Sequence, residues 1–141
     1  MEHFTTERTI TFEAARLVLG AAVDHARSLG VPVCVAVTDR SGHLMAFGRM
    51  DGAPLLSAQI AQDKAYTVAA FGGLATHEWW PMIEEEPSLR HGIVKTDRLI
   101  VFGGGVPLQA DGALVGAVGV SGGSAEQDRA TAEAGARALG G

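Results

Sequence analysis

Lys64 is the residue whose position most strongly suggests chemistry. It falls within an otherwise apolar stripe of a predicted helix, whose other members are Ser57, Ile60, Ala61, Val68 and Phe71. Burying an ammonium group is costly unless the group is paired. The side chain must therefore extend to water, meet an acidic residue, or face a ligand cavity. In a cavity, Lys64 would hold an anion or act as an amine of lowered pKa.

Arg49 and Asp51 lie just before this helix, in the stretch "GRMDGAP". They mark the mouth of the same cavity if Lys64 faces one. The alternative interpretation is a solvated turn with a local ion pair.

A second group of titratable and aromatic residues follows the helix, in "LATHEWWPMIEEEPSLRHG". It contains, in order, His77, Glu78, Trp79, Trp80 and His91. Imidazole and carboxylate groups exchange protons readily, and a pair of indoles excludes water, so the group suits a pocket wall. The acidic run at 84–86 is more typical of a solvated helix face than of paired catalytic carboxylates.

The five histidines show no zinc signature, because the sequence has no H-E-x-x-H, no H-x-H and no Cys/His cluster. His25 lies on the margin of the apolar stripe of the first predicted helix. A histidine there is usually structural, and the alternative role is that of an axial haem ligand.

Two glycine-rich stretches raise the question of a phosphate site. Gly103, Gly104 and Gly105 lead through a turn into a strand, which fits neither a dinucleotide-binding loop nor a P-loop. Ser121, Gly122 and Gly123 instead lie between a strand and a helix, whose free backbone N–H groups can bind a carboxylate or phosphate. The alternative is a plain strand-to-helix turn with a good helix cap.

Helices and strands alternate along the chain. Periodicity and capping residues predict helices over about 12–29, 54–71 and 125–139, with a short helix in the irregular segment after 71. Strands are predicted in "VPVCVAV" and "HLMAFGRM", joined by a turn at "DRSG"; as a pair turning at "TD" in "GIVKTDRLIVFGG"; and in "ALVGAVGVSGG". These elements predict an α/β domain with a mostly antiparallel sheet of about five strands flanked by helices.

Composition narrows the class of protein. The chain has 141 residues and a formal net charge of −5, so we expect one domain spanning 1–141. There is no basic run for nucleic acid or anionic lipid and no apolar stretch long enough for a membrane span. The N-terminus lacks the pattern of a signal peptide, so we expect a cytoplasmic protein. Cys34, within an apolar strand, is expected in the core.

The linked order of "VTDRSGHLMAFGRMDGAPLLSAQIAQDKAYTVAAF", "GGGVPL" and "GALVGAVGVSGGSAEQD" resembles the GlcG/HbpS family of haem-binding or haem-degrading-like proteins, which includes the C-terminal domain of PduO. The resemblance covers about residues 9–139. It implies a profilin-like sandwich and a homo-oligomer. It also implies that Arg49, Asp51, Lys64 and the two glycine-rich stretches mark a shared ligand site.

Two hypotheses about function follow. The first is a small-ligand-binding protein that takes haem or a related planar anionic ligand, with His25 or His77 on the iron and Arg49 or Lys64 on the propionates. The second is a cofactor-independent lyase, isomerase or hydrolase acting on a small oxygenated or carboxylated substrate. Its catalytic residues would be His77, Glu78, Lys64 and His91. An oligomeric accessory protein without a ligand is a third possibility.

Overall fold

A computed structural model describes residues 1–140 of the chain. Its helices are α1 (Phe12–Leu29), α2 (Leu56–Ala70), α3 (Trp79–Ile83), α4 (Pro87–Gly92) and α5 (Ala125–Arg137). Its strands are β1 (Cys34–Asp39), β2 (Leu44–Arg49), β3 (Gly105–Ala110) and β4 (Ala113–Ser121), with 3₁₀ turns at Thr76–Glu78 and Ile93–Lys95. No helix within residues 1–140 is both long enough and apolar enough to cross a bilayer.

The helix ends follow from local capping chemistry. Thr11 Oγ1 accepts a hydrogen bond from the Ala14 backbone N–H at the start of α1, and Gly30 ends that helix in the left-handed conformation. Ser124 and Gln127 form the predicted capping box at the start of α5. The predicted helix bounds are therefore close to the observed ones, although α2 begins two residues after Pro54.

The four strands form one open antiparallel sheet in the order β2-β1-β4-β3. Helices α1 and α5 cover one face, and α2 covers the other. The predicted α/β class with an antiparallel sheet between helices is confirmed. The sheet has four strands rather than about five.

The strand pair predicted in "GIVKTDRLIVFGG" is absent, because the structure has a 3₁₀ turn and an irregular segment there, whereas β3 (Gly105–Ala110) is a strand that the sequence analysis did not predict. The reason is that this backbone bonds to α2 rather than to a strand. Thr67 Oγ1 donates to the Arg98 carbonyl at 2.9 Å and accepts from the Ile100 N–H at 3.0 Å. Arg98 also forms an ion pair with Asp63 at 2.9 Å and lies over the Tyr66 ring. Its positive φ of 65° turns the chain away from an extended course.

Alternation along β1 explains the two faces of the sheet. Val35 and Val37 point into the core beneath α1 and α5, whereas Cys34 and Ala36 point towards α2. Cys34 is fully buried, as expected. The residues facing α2 are small, which brings this helix close to the strands. At Gly119 of β4 the approach leaves no room for a side chain, because a Cβ atom would collide with the Ala61 carbonyl oxygen.

Candidate functional site

Lys64 lies on the sheet-facing side of α2, and its side chain is 1% exposed. Its Nζ donates to the Val120 carbonyl at 2.8 Å and to Asp128 Oδ2 at 3.3 Å. The ammonium also lies 5.1 Å from the centre of the Phe102 ring. The sequence left three alternatives for Lys64. The structure shows that its ammonium group pairs with an acidic residue, Asp128.

The Asp128 carboxylate belongs to the first turn of α5, the helix that follows the "SGG" stretch. Its Oδ1 accepts the Gly123 backbone N–H at 2.9 Å, while Oδ2 faces Lys64. The protein's own Asp128 carboxylate thus accepts the Gly123 N–H group next to the start of α5. Burial lowers the pKa of Lys64, and the Asp128 charge and hydrogen bond oppose that shift.

The glycines around this ion pair allow backbone to pass close to α2. A Cβ atom at Gly104, whose φ is 129°, would lie 2.6 Å from Lys64 Nζ. A Cβ atom at Gly105 would lie 2.8 Å from the Lys64 carbonyl oxygen. Gly122 similarly passes the Pro32 carbonyl. Packing thus requires these glycines whether or not a ligand is bound, and their role in ligand binding stays a prediction.

His77 is brought to a groove between the 3₁₀ turn, β3 and the C-terminal half of α5. The groove, which we call the His77 groove, has a volume of about 470 Å³ and is lined by Ala75, His77, Glu78, Val106, Pro107, Glu133, Ala136 and Arg137. That volume falls within the range of small-molecule sites, roughly 300–1,000 Å³. The groove combines one imidazole, two carboxylates and one guanidinium.

The imidazole of His77 is half-buried, and its Nδ1 is buried without a hydrogen-bond partner among residues 1–140. Burial lowers the pKa of His77, and the positive charge of Arg129 lowers it further, whereas Glu78 and Glu133 raise it. The uncharged ring therefore predominates at neutral pH. The uncharged ring keeps one nitrogen lone pair, but a ligand in the groove reaches it only through a nitrogen that the groove exposes, since Nδ1 is closed off from solvent.

Two elements hold His77 at the groove. Glu78 Oε2 accepts the Ala75 N–H at 3.1 Å and so fixes the 3₁₀ turn. Gly103 packs next to the histidine, because a Cβ atom there would lie 3.5 Å from His77 Cβ and 3.7 Å from Arg129 Cβ. His77 is thus enclosed between the glycine-rich stretch and α5.

The other predicted site residues do not line this groove. Arg49 and Asp51 line a separate groove of about 390 Å³ with Arg27 of α1.

The aromatic residues and the other histidines also lie away from the His77 groove. Trp79 is buried against Phe71, with ring centres 4.7 Å apart. Trp80 and His91 are exposed, and His25 is half-buried on α1. The structure therefore joins His77 with Glu78 but does not bring either to Lys64 or to Arg49, so the roles assigned to the latter residues stay predictions.

Sequence reasoning missed Glu133 and Arg137, which line the groove, and Arg129, which lies beside His77. The available signal was their spacing of four residues along the predicted last helix, which places all three on one side of it. What the sequence lacked was any sign that this side would face His77.

Comparison with known proteins assigns the chain to a family. The model of the family described as haem degrading protein HbpS-like matches residues 10–137. The chain belongs to the HbpS-like family. This confirms the resemblance inferred from the sequence.

Individual HbpS-like relatives cover nearly the whole chain. An uncharacterised 15.0 kDa protein from the dhaT-dhaS intergenic region of Citrobacter freundii is 40% identical over 127 residues, covering 89% of this chain and 88% of the relative. The crystal structure of protein ORFY from Klebsiella pneumoniae superposes with a TM-score of 0.91 at 34% identity, covering 99% of this chain and 97% of ORFY.

A further HbpS-like neighbour was solved with a ligand. The crystal structure of the PduOC–haem complex superposes with a TM-score of 0.82 at 34% identity, covering 92% of this chain and 94% of PduOC. The haem in that complex belongs to PduOC.

Proposed function

We propose that this protein binds haem or a related planar anionic ligand in the His77 groove, with His77 as the axial ligand. The observation that carries the proposal is the His77 imidazole itself. It lines a groove of about 470 Å³, and burial together with the Arg129 charge lowers its pKa, so that the uncharged ring predominates at neutral pH. The haem complex of a neighbour 34% identical to this chain supports the same ligand class.

The residues of the groove fit such a ligand in three respects. His77 offers an uncharged imidazole. Val106, Pro107 and Ala136 offer apolar surface for a flat ring system, and Arg137 offers a cation for a carboxylate. Haem, if bound, would be held through its iron by the His77 imidazole and would supply that iron centre; the protein's part would be to position the ring system.

A hemin titration followed at the Soret band tests the proposal. Wild-type protein should bind hemin saturably, and His77→Ala should weaken binding at least tenfold. The matched control is His43→Ala, because His43 is 79% exposed and pairs only with Asp39 on the hairpin. His25→Ala tests the other axial ligand considered from the sequence. Equal affinities of wild type and His77→Ala would overturn the proposal.

A second candidate function is acid–base catalysis on a small carboxylated substrate. It is favoured by the presence of His77 and Glu78 in one groove with Arg137. Mass spectrometry of the natively purified protein separates the two candidates: a retained porphyrin supports the first, and a retained small carboxylic acid supports the second.

A further inference from the structure

Helix α5 presents a row of alternating charges along the His77 groove. Arg129, Glu133 and Arg137 follow one another at intervals of four residues, so they lie on one side of the helix. At about 1.5 Å per residue, the two arginines are separated by roughly 12 Å along the axis. Glu133, between them, lines the groove together with Arg137.

Glu133 is already paired with one of these arginines. Its Oε2 lies 3.5 Å from Arg129 Nε, and the two side chains are 42% and 48% exposed. Such an exposed pair contributes little to stability, and either member is free to exchange partners. Arg129 also lies near His77: its charge lowers the pKa of that histidine, and a Cβ atom at Gly103 would contact the Cβ atoms of both residues.

We infer that this row is the carboxylate-recognising edge of the groove, with Glu133 occupying Arg129 until a carboxylate of the ligand displaces it. This inference rests on the proposed function and deepens it. It names the ligand class as planar molecules carrying two carboxylates, one for Arg129 and one for Arg137. Glu133 then competes with the ligand carboxylate for Arg129 and so weakens binding of these anions.

The physical basis is the exchange of one ion pair for another. A ligand carboxylate that binds Arg129 replaces the Glu133 carboxylate, which then lies unpaired near a second negative charge. Removing the Glu133 charge abolishes both the competition and the repulsion. Arg137 remains available for the second ligand carboxylate, because it lies one helical turn further along the same side.

Two probes separate this inference from the proposed function. Metal-free protoporphyrin IX has the two carboxylates of haem and no iron, so its binding depends on the charged edge and not on axial coordination. Hemin dimethyl ester has the iron and no free carboxylate, so its binding depends on His77 and not on the charged edge.

Protoporphyrin IX affinity, measured by fluorescence, should rise about two- to fivefold in Glu133→Gln and fall by a similar factor in Arg137→Gln and in Arg129→Gln. Hemin dimethyl ester affinity should stay within a factor of two in all three variants. The matched control is Glu13→Gln, because Glu13 forms a similar exposed pair with Arg16 on α1, outside the groove.

The possible outcomes are distinguishable. Equal protoporphyrin IX affinities in wild type, Glu133→Gln and Arg137→Gln, or no binding to any of them, would overturn the inference about α5 whatever His77→Ala does to hemin. Hemin binding unaffected by His77→Ala would overturn the proposed axial ligand while leaving the protoporphyrin IX series to decide on the charged edge.

Discussion

Lys64 Nζ lies 3.3 Å from Asp128 Oδ2, and neither side chain is more than 4% exposed. This ion pair joins the middle of α2 to the start of α5, across the end of β4. Breaking such a pair from one side leaves a buried charge without compensation, whereas replacing both charges removes the desolvation cost of each.

Lys64→Met should therefore destabilise the protein by about 3–5 kcal/mol, because Asp128 is left as a buried, unpaired carboxylate. The double variant Lys64→Met/Asp128→Asn should recover part of that loss, since the amide oxygen can still accept the Gly123 N–H. Urea denaturation of the three proteins measures both effects. A Lys64→Met variant as stable as wild type would show that the pair is not buried as described.

The pKa of His77 should lie below the ordinary value of 6.5, because burial and Arg129 disfavour the imidazolium more than Glu78 and Glu133 favour it. The folded state then binds fewer protons than the unfolded state. The contribution of His77 to the free energy of unfolding consequently falls as the pH drops below about 6.5 and is unaffected above it.

NMR titration of the His77 ring protons measures this pKa directly. The His77→Gln variant should lose less stability than wild type when the pH is lowered from 7 to 5. A His77 midpoint above the ordinary value of 6.5 would show that its surroundings do not disfavour the imidazolium.

Gly119→Ala should destabilise the protein by about 2–4 kcal/mol, because its Cβ would collide with the Ala61 carbonyl of α2 and force this helix away from the sheet. The matched control is Gly20→Ala, in α1, where no heavy atom lies within 4 Å of the added Cβ. That change should stabilise the helix by up to about 1 kcal/mol. If Gly119→Ala and Gly20→Ala shifted the melting temperature in the same direction, the close contact described at Gly119 would be wrong.

Thr67→Val tests the attachment of the segment before β3 to α2. The substitution preserves shape but removes the hydroxyl that bonds to Arg98 and Ile100, so we expect a loss of about 1–3 kcal/mol and faster amide exchange over residues 96–104. Thr38→Val is the matched control, because Thr38 Oγ1 is buried without a partner within residues 1–140. It should be neutral or stabilising. Similar losses in both variants would refute the proposed attachment.

Local signals were sufficient to predict most of the fold. The caps at Thr11 and Ser124 and the apolar run of β1 each act within a few residues, and the corresponding elements are where the sequence placed them. The prediction of strands around Arg98 was wrong because this backbone forms hydrogen bonds with the Thr67 hydroxyl of α2. Thr67 is 31 positions from Arg98 and 33 positions from Ile100 in the sequence. The residue pattern within the segment carries no information about a hydrogen-bond partner that is so distant in the sequence.

The candidate site shows the same division. The misplaced charge of Lys64 was visible in the helix pattern, but its partner Asp128 is 64 positions distant. His77 was recognised from the crowding of its own segment. Its neighbours Glu133 and Arg137 come from the last helix, and only the folded arrangement of α5 beside β3 brings them to the groove.

The packing of α1 against α5 has a consequence for the order in which the chain folds during synthesis. Gly135 passes so close to α1 that a Cβ atom there would lie 3.0 Å from the Val18 carbonyl oxygen. The packing of α1 is thus complete only once α5 is in place. Contacts between residues so far apart in the sequence slow folding. Until α5 has been synthesised, the part of this sheet face over β3 and β4 stays exposed to water, and the nascent chain is most prone to aggregate at that stage.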